Sequence, residues 1–91
     1  MPTPDISNDA WDFINHLPHK HAKQVLIKIL QLCQDPEPSD SILMKNNPEK
    51  YRRTDIGEYR IIYKEVDDEL QVFIVGKRND DEVYRKFDRK K

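Results

Sequence analysis

Arg52, Arg53 and Arg60, then Lys77 and Arg78, then Tyr84 are the side chains in this sequence best suited to chemistry. The cations fall near the ends of segments that read as strands, and the tyrosine falls on a terminal helix. A guanidinium grips a phosphate with paired donors, and a tyrosine can stack on a base or hold a hydroxyl. Together they suit contact with RNA and, in the right geometry, cleavage of a phosphodiester. The same residues have a plainer reading. Arginines at strand ends are commonly solvated or paired with nearby acids, here Asp55, Glu58 and Asp80. Residue types alone leave both readings open.

Other familiar chemistry is missing from the chain. There is no Gly-rich phosphate loop, no cysteine cluster, no Gly-x-Ser-x-Gly elbow and no His-Glu-x-x-His motif. His16, His19 and His21 gather around one turn, where solvated polar side chains are far commoner than a metal site, so no metal ligands are assigned. Cys33 is the only cysteine and sits in an apolar helical stripe, as a buried structural thiol would. Sixteen Lys and Arg stand against 17 Asp and Glu, a net charge of -1 that does not announce a nucleic-acid binder. The distribution is uneven: up to Met44 there are three basic and six acidic residues, and from Lys45 onward 13 basic and 11 acidic. The candidate residues all lie in that mildly positive part.

The elements that must position them follow from periodicity. After Ser7, a good N-cap, Ala10, Phe13, Ile14 and Leu17 recur at helical spacing. Pro18 suits the first turn of a second helix, in which Ala22, Val25, Leu26, Ile29, Leu30 and Cys33 keep the period. Two amphipathic helices so closely joined form a hairpin that must cover a sheet, and Asp35-Pro36-Glu37-Pro38 ends the pair. The sheet is expected from Tyr51–Thr54, Tyr59–Lys64 and Leu70–Val75, rich in β-branched and aromatic residues. Asp55-Ile56-Gly57-Glu58 and Val66-Asp67-Asp68-Glu69 supply the reversals, giving an antiparallel meander. Asn79 or Asp80 can cap a short last helix through about Phe87, with Asp81 and Glu82 near its positive end and Val83 and Phe87 docking it. Ninety-one residues allow one domain, 1–91, with one modest core. No apolar stretch approaches the roughly 20 residues of a membrane span, and no signal peptide is apparent at the start, so the expected compartment is the cytoplasm.

The order of the candidate residues narrows these readings. Gly57-Glu58-Tyr59-Arg60-Ile61-Ile62-Tyr63, followed by Val75-Gly76-Lys77-Arg78 and Glu82-Val83-Tyr84, resembles the signature of RelE-type toxins of the RelE/ParE superfamily: a GxYRxxY strand, then VGKR, then EVY. The resemblance runs from about Ala10 to Phe87, and its specific motifs lie in the last third. It implies an α+β, microbial RNase-like fold, with an N-terminal helix hairpin on a small twisted antiparallel sheet of three or four strands and a short C-terminal helix. It further implies a toxin of a type II toxin-antitoxin system that enters the ribosomal A site, cuts mRNA there and inhibits translation. In that role Arg60 would hold the scissile phosphate, Arg78 would stabilise the pentacoordinate transition state, and Tyr84 would stack on the substrate or help deprotonate the 2′-hydroxyl. Arg52, Arg53 and Lys77 would bind RNA. Attack by the 2′-hydroxyl requires no cofactor. The implied partners are the ribosome, mRNA and a cognate antitoxin whose segment wraps the helices and sheet in a hetero-oligomer, displacing the last helix or covering Arg60 and Arg78.

Three departures from the family pattern accompany the resemblance. The family commonly alternates two basic residues along the strand before the glycine turn, whereas here Arg52 and Arg53 are adjacent and Thr54 and Asp55 follow. Adjacent strand residues face opposite sides, so one of the two arginines points into the site. The first strand is reduced to Pro4-Asp5-Ile6, a short edge at most. The net charge gives little long-range attraction to rRNA. Two other functions stay open: the ParE branch, which poisons DNA gyrase without the nuclease residues, and a decayed domain that only binds its antitoxin. Tyr84, at its interval after Arg78, favours RNA cleavage over gyrase poisoning.

Overall fold

The computed structural model describes residues 4–45, 48–79 and 82–90. In chain order these form β1 (Asp5–Ile6), α1 (Asn8–Asn15), α2 (His19–Gln34), β2 (Ser41–Leu43), β3 (Arg52–Ile56), β4 (Tyr59–Val66), β5 (Glu69–Lys77) and α3 (Glu82–Lys90). The strands lie in the order β1-β5-β4-β3-β2. The expected α+β arrangement is present, with two corrections. The sheet has five strands where three or four were expected, and it is mixed, because β1 runs parallel to β5. The additional strand, β2, pairs antiparallel with β3 at the sheet edge and leaves Ile42 and Leu43 half exposed.

Ser7 caps α1 as its type requires, and it does more. Its hydroxyl accepts from the Ala10 amide at 3.1 Å and donates to the Phe73 carbonyl at 2.6 Å, so the start of the helix is fixed to the middle of β5. Pro18 stands at the N-cap of α2, one position earlier than its expected place inside the first turn. Val25, Ile29, Leu32 and Cys33 form the buried stripe of α2. Leu30, expected on that stripe, is exposed, and Leu32 takes the core position instead. At 100° per residue, Leu30 lies beside Ile29 on the solvent side, whereas Leu32 stacks above Val25 and Ile29. The α1–α2 hairpin packs Ala10, Ile14, Val25, Ile29 and Leu32 on Ile61, Tyr63, Leu70 and Val72.

The other face of the sheet carries α3, whose Val83 and Phe87 dock on Tyr51, Ile62 and Ile74, as the sequence predicts. A bulge assists. Between Ile62↔Ile74 and Tyr63↔Val72, β5 has one extra residue, Phe73, which packs with the α3 cluster and stacks on Tyr51 at 5.0 Å between ring centroids. The helix continues to Lys90, beyond the expected end near Phe87. Of the acids expected to cap or charge its start, Asp80 and Asp81 lie outside the described residues, as does the Glu82 side chain.

Both reversals of the meander are two residues long. Gly57 takes φ +57°, which its lack of a Cβ allows, and Asp67 and Asp68 both take positive φ, 51° and 63°. Such a turn imposes register by counting outward from its centre. Ile56 faces Tyr59, Asp55 faces Arg60, and Arg53 faces Ile62. No helix among the described residues is long and apolar enough to cross a membrane.

Candidate functional site

The register assigns the sides. Ile62 lies in the cluster under α3, so Arg53 and Asp55, two residues apart on β3, share the α3 face with Arg60. Arg52 pairs with Tyr63 and turns to the helix-hairpin face. There its Nε donates to Ser41 Oγ at 2.7 Å, its Nη2 to the Ser41 carbonyl at 3.1 Å, and its Nη1 to Glu37 at 3.2 Å. The Ser41 hydroxyl in turn meets the Tyr63 hydroxyl at 2.7 Å, and Tyr63 donates to the Pro36 carbonyl at 2.7 Å. Burial raises the Tyr63 phenol above its ordinary pKa, against the lowering effect of Ser41 and Arg52. Arg52 thus ties the end of the helix hairpin to the sheet, and Arg53 is the member of the pair on the face of Arg60.

Arg60 is the centre of the arrangement. Its Nε and Nη2 donate side-on to the two oxygens of Asp55, at 2.6 and 3.1 Å, and its Nη1 donates to the Tyr84 hydroxyl at 2.6 Å. The guanidinium carbon also lies 5.7 Å from the Tyr84 ring centroid. Three of its five N–H groups are used, which leaves one on each terminal nitrogen. Because the Tyr84 oxygen accepts from Arg60, its own O–H remains available to donate. The hydrogen bond from Arg60 holds the Asp55 carboxyl below its ordinary range, and the charges of Arg60, Arg53 and Arg78 add to this against the cost of burial. Asp55 in return raises Arg60. Arg60 is therefore bonded to this carboxylate, with Arg53 on the same face. The plainer expectation, an arginine paired with Asp55, and the chemical one, an arginine beside Tyr84, describe the same side chain.

Arg78 is exposed just beyond β5, and its amide donates to the Glu58 carbonyl at 3.0 Å, which holds it beside the Gly57 turn. Lys77 faces Tyr59 across the pair and opens a small cleft with Glu58 and Asn79, at the hairpin side of the sheet end. The structure brings together Arg53, Arg60 and Tyr84 on one face, with Arg78 exposed at the adjoining turn, while Arg52 and Lys77 belong to the other side. From the sequence Asp55 reads only as a turn acid able to pair with a nearby arginine, and its central place is missed. A two-residue reversal at Gly57-Glu58, counted outward, would have set Asp55 opposite Arg60.

Away from this site, His21 Nδ1 lies 2.6 Å from the Tyr59 hydroxyl and His16 Nδ1 2.7 Å from the Asp12 carbonyl. No group of three or more His, Cys, Asp or Glu among the described residues is arranged to hold a metal ion. Cys33 is buried, and that burial raises its thiol pKa.

The ion pairs carry a pH dependence of definite sign. Asp40 is held below its ordinary pKa by the hydrogen bond from Lys28, a 2.8 Å contact, as Asp55 is by Arg60. A carboxylate depressed in the folded state stabilises above its unfolded pKa, about 3.9, and loses that contribution as pH falls through the lower folded value. Urea denaturation should therefore show stability declining below about pH 4, and less steeply in the Asp40→Asn/Asp55→Asn double variant. An unchanged decline in that variant would remove these pairs from the account.

The comparisons with known proteins accord with this architecture. The chain superposes on a RelE–RelB complex from Pyrococcus horikoshii OT3 with a TM-score of 0.74 and 22% identity, over 85% of this chain and 94% of that one. It superposes on the isolated Escherichia coli RelE toxin with a TM-score of 0.73 and 19% identity, over 99% and 98%. A third match, the RelBE2 toxin-antitoxin complex of Mycobacterium tuberculosis, has a TM-score of 0.73 and 18% identity, over 86% and 100%. At these identities the likeness establishes the fold. No curated protein matches the chain. The family profile of the ParE toxin of type II toxin-antitoxin systems, parDE, matches residues 5–82, from β1 to the first residue of α3. Since that match takes in the helix hairpin, the whole sheet and Arg53, Arg60 and Arg78, the chain belongs to the ParE toxin family and is a type II toxin of the RelE/ParE superfamily.

Proposed function

We propose that this toxin is a ribosome-dependent mRNA endonuclease. The observation that carries the reading is the contact between Arg60 and Tyr84, 2.6 Å apart on the face that also holds Arg53. In the proposed reaction the 2′-oxygen of one nucleotide bonds to the adjacent phosphorus as the bond to the 5′-oxygen breaks. The 2′-hydroxyl loses its proton and the leaving oxygen gains one, giving a 2′,3′-cyclic phosphate and a 5′-hydroxyl. Negative charge grows on the non-bridging oxygens, and the two free N–H groups of Arg60, together with the charge of Arg78, suit that charge. Arginine stays protonated at any working pH, so both act by charge and position, while the proton passes through the Tyr84 hydroxyl or water. Arg53 would hold a flanking phosphate.

The partners in this reading are mRNA on the ribosome, in the cytoplasm, and a cognate antitoxin. The RelE–RelB complexes among the structural neighbours support the latter. The test is cleavage of mRNA on programmed ribosomes by the antitoxin-free protein, with naked RNA as control. Cuts confined to the A-site codon, and absent with Arg78→Ala and Tyr84→Ala, are expected. Intact mRNA at every protein concentration would overturn the reading. A second function, gyrase poisoning, is favoured by the family match being to ParE and would then show as inhibited supercoiling.

A further inference from the structure

Arg53 and Asp55 alternate along β3 on the face of Arg60, so a base and an acid stand together there. The acid is half sheltered, its side chain 37% exposed against 15% for Arg60, and it occupies the whole side-on edge of that guanidinium. It is also the carboxylate on which the charges of Arg53 and Arg78 act. A substrate phosphate approaching Arg60 therefore meets a site that already contains an anion, with only the two remaining donors on offer. The same two hydrogen bonds fix the plane of the guanidinium and, through Nη1, the position of the Tyr84 hydroxyl.

We propose that Asp55 is the positioning residue of this site and sets its selectivity: it aims Arg60 and Tyr84 while holding down the affinity for free RNA. This rests on the RNA-cleaving reading, yet its binding half can be measured without cleavage. Two opposing effects are combined in one carboxylate. Its charge weakens attraction to any polyanion, and its hydrogen bonds keep the donors in one plane, where a phosphate bound in the correct pose can use them at once. A toxin so built discriminates against loosely held RNA and relies on another surface to deliver its substrate.

Asp55→Asn keeps the size but removes the charge and one of the two acceptors of Arg60, so binding reads the charge and cleavage the alignment. Binding of a short single-stranded RNA with 2′-deoxy residues at the cleavable step, followed by fluorescence anisotropy against salt, should tighten roughly fivefold, as expected for one unit charge removed near a phosphate. The plot of log K against log salt should steepen by about 0.7, one more effective cation on a single strand. Single-turnover cleavage on saturated ribosomes should fall roughly tenfold or more as Arg60 and Tyr84 lose their alignment. Asp55→Glu, which keeps the charge, should bind with wild-type affinity and slope. Thermal melting of each variant identifies any that fail to fold, and Asp55→Ser then replaces Asp55→Asn. Unchanged affinity and slope in the uncharged variant would overturn the proposal, as would tighter binding accompanied by undiminished cleavage. If the wild-type protein cuts nothing, the nuclease reading fails while the binding series still decides whether Asp55 limits RNA affinity.

Discussion

Arg60→Ala is expected to lower mRNA cleavage on programmed ribosomes by about 10²–10³-fold, the loss that follows removal of one well-placed donor to a developing oxyanion. Three effects act in the same direction. The two N–H groups that remain for a phosphate disappear, the Tyr84 hydroxyl loses its 2.6 Å donor, and Asp55 loses its bonded cation and faces the substrate with more of its charge uncovered. Arg60→Lys should recover only part of the rate, since an ammonium supplies charge without the planar fork that engages Asp55 and a phosphate together. Single-turnover kinetics at saturating ribosome concentration measure this directly. A loss smaller than about fivefold would mean that Arg60 is the structural partner of Asp55 and nothing more.

Gly76→Ala is expected to cost nearly as much activity through a different route. Gly76 faces Arg60 in the β4–β5 pair, and a Cβ placed there would lie 2.5 Å from Cγ2 of Val83, which is fully buried between α3 and the sheet. A β-branched side chain in a helix has one strongly preferred rotamer, so Val83 cannot turn aside and the helix itself must lift. Lifting it carries Tyr84 away from Arg60. A destabilisation of about 1–3 kcal/mol, typical of overpacking, and a cleavage loss of roughly 10²-fold should appear together in urea denaturation and single-turnover assays. Val83→Ala in the same chain removes the offending methyls and should restore most of the cleavage while stability stays reduced. Failure of that second change to restore cleavage would show that the Gly76 position acts otherwise than by seating α3.

The legible parts of this molecule are those where the local pattern and the tertiary answer coincide. Ala10 and Ile14, or Val25 and Ile29, repeat at helical spacing and are all buried, so the hairpin could be read directly. The meander was equally plain, because Gly57 and Asp67-Asp68 can take the positive φ that its reversals use. The edge strand at Ser41–Leu43 could not be read in the same way. Three residues are too few to alternate, and this strand exists because β3 offers it hydrogen bonds. Leu30 was misplaced for a related reason: apolar type says nothing about which residue of an adjacent pair the core selects. The candidate site was legible as a set of residues, Arg60, Arg78 and Tyr84, but not as a geometry. Whether Arg52 or Arg53 joins them depends on register, and the part played by Asp55 depends on a pairing across a turn, neither of which a list of residue types contains.

The parallel pairing of β1 with β5 has a consequence for the birth of the chain. Ser7 and Phe73, joined by the hydroxyl of one and the carbonyl of the other, are 66 residues apart. A ribosome adding roughly 5–20 residues per second delivers the helix hairpin seconds before the strand that seats it. During that interval the apolar stripes of α1 and α2 have left the tunnel with no sheet to cover, and the segments that bear Arg60 and Tyr84 have yet to meet. The polypeptide is therefore sticky while it is being made, and its candidate site is complete only once the last strand and helix have joined the sheet.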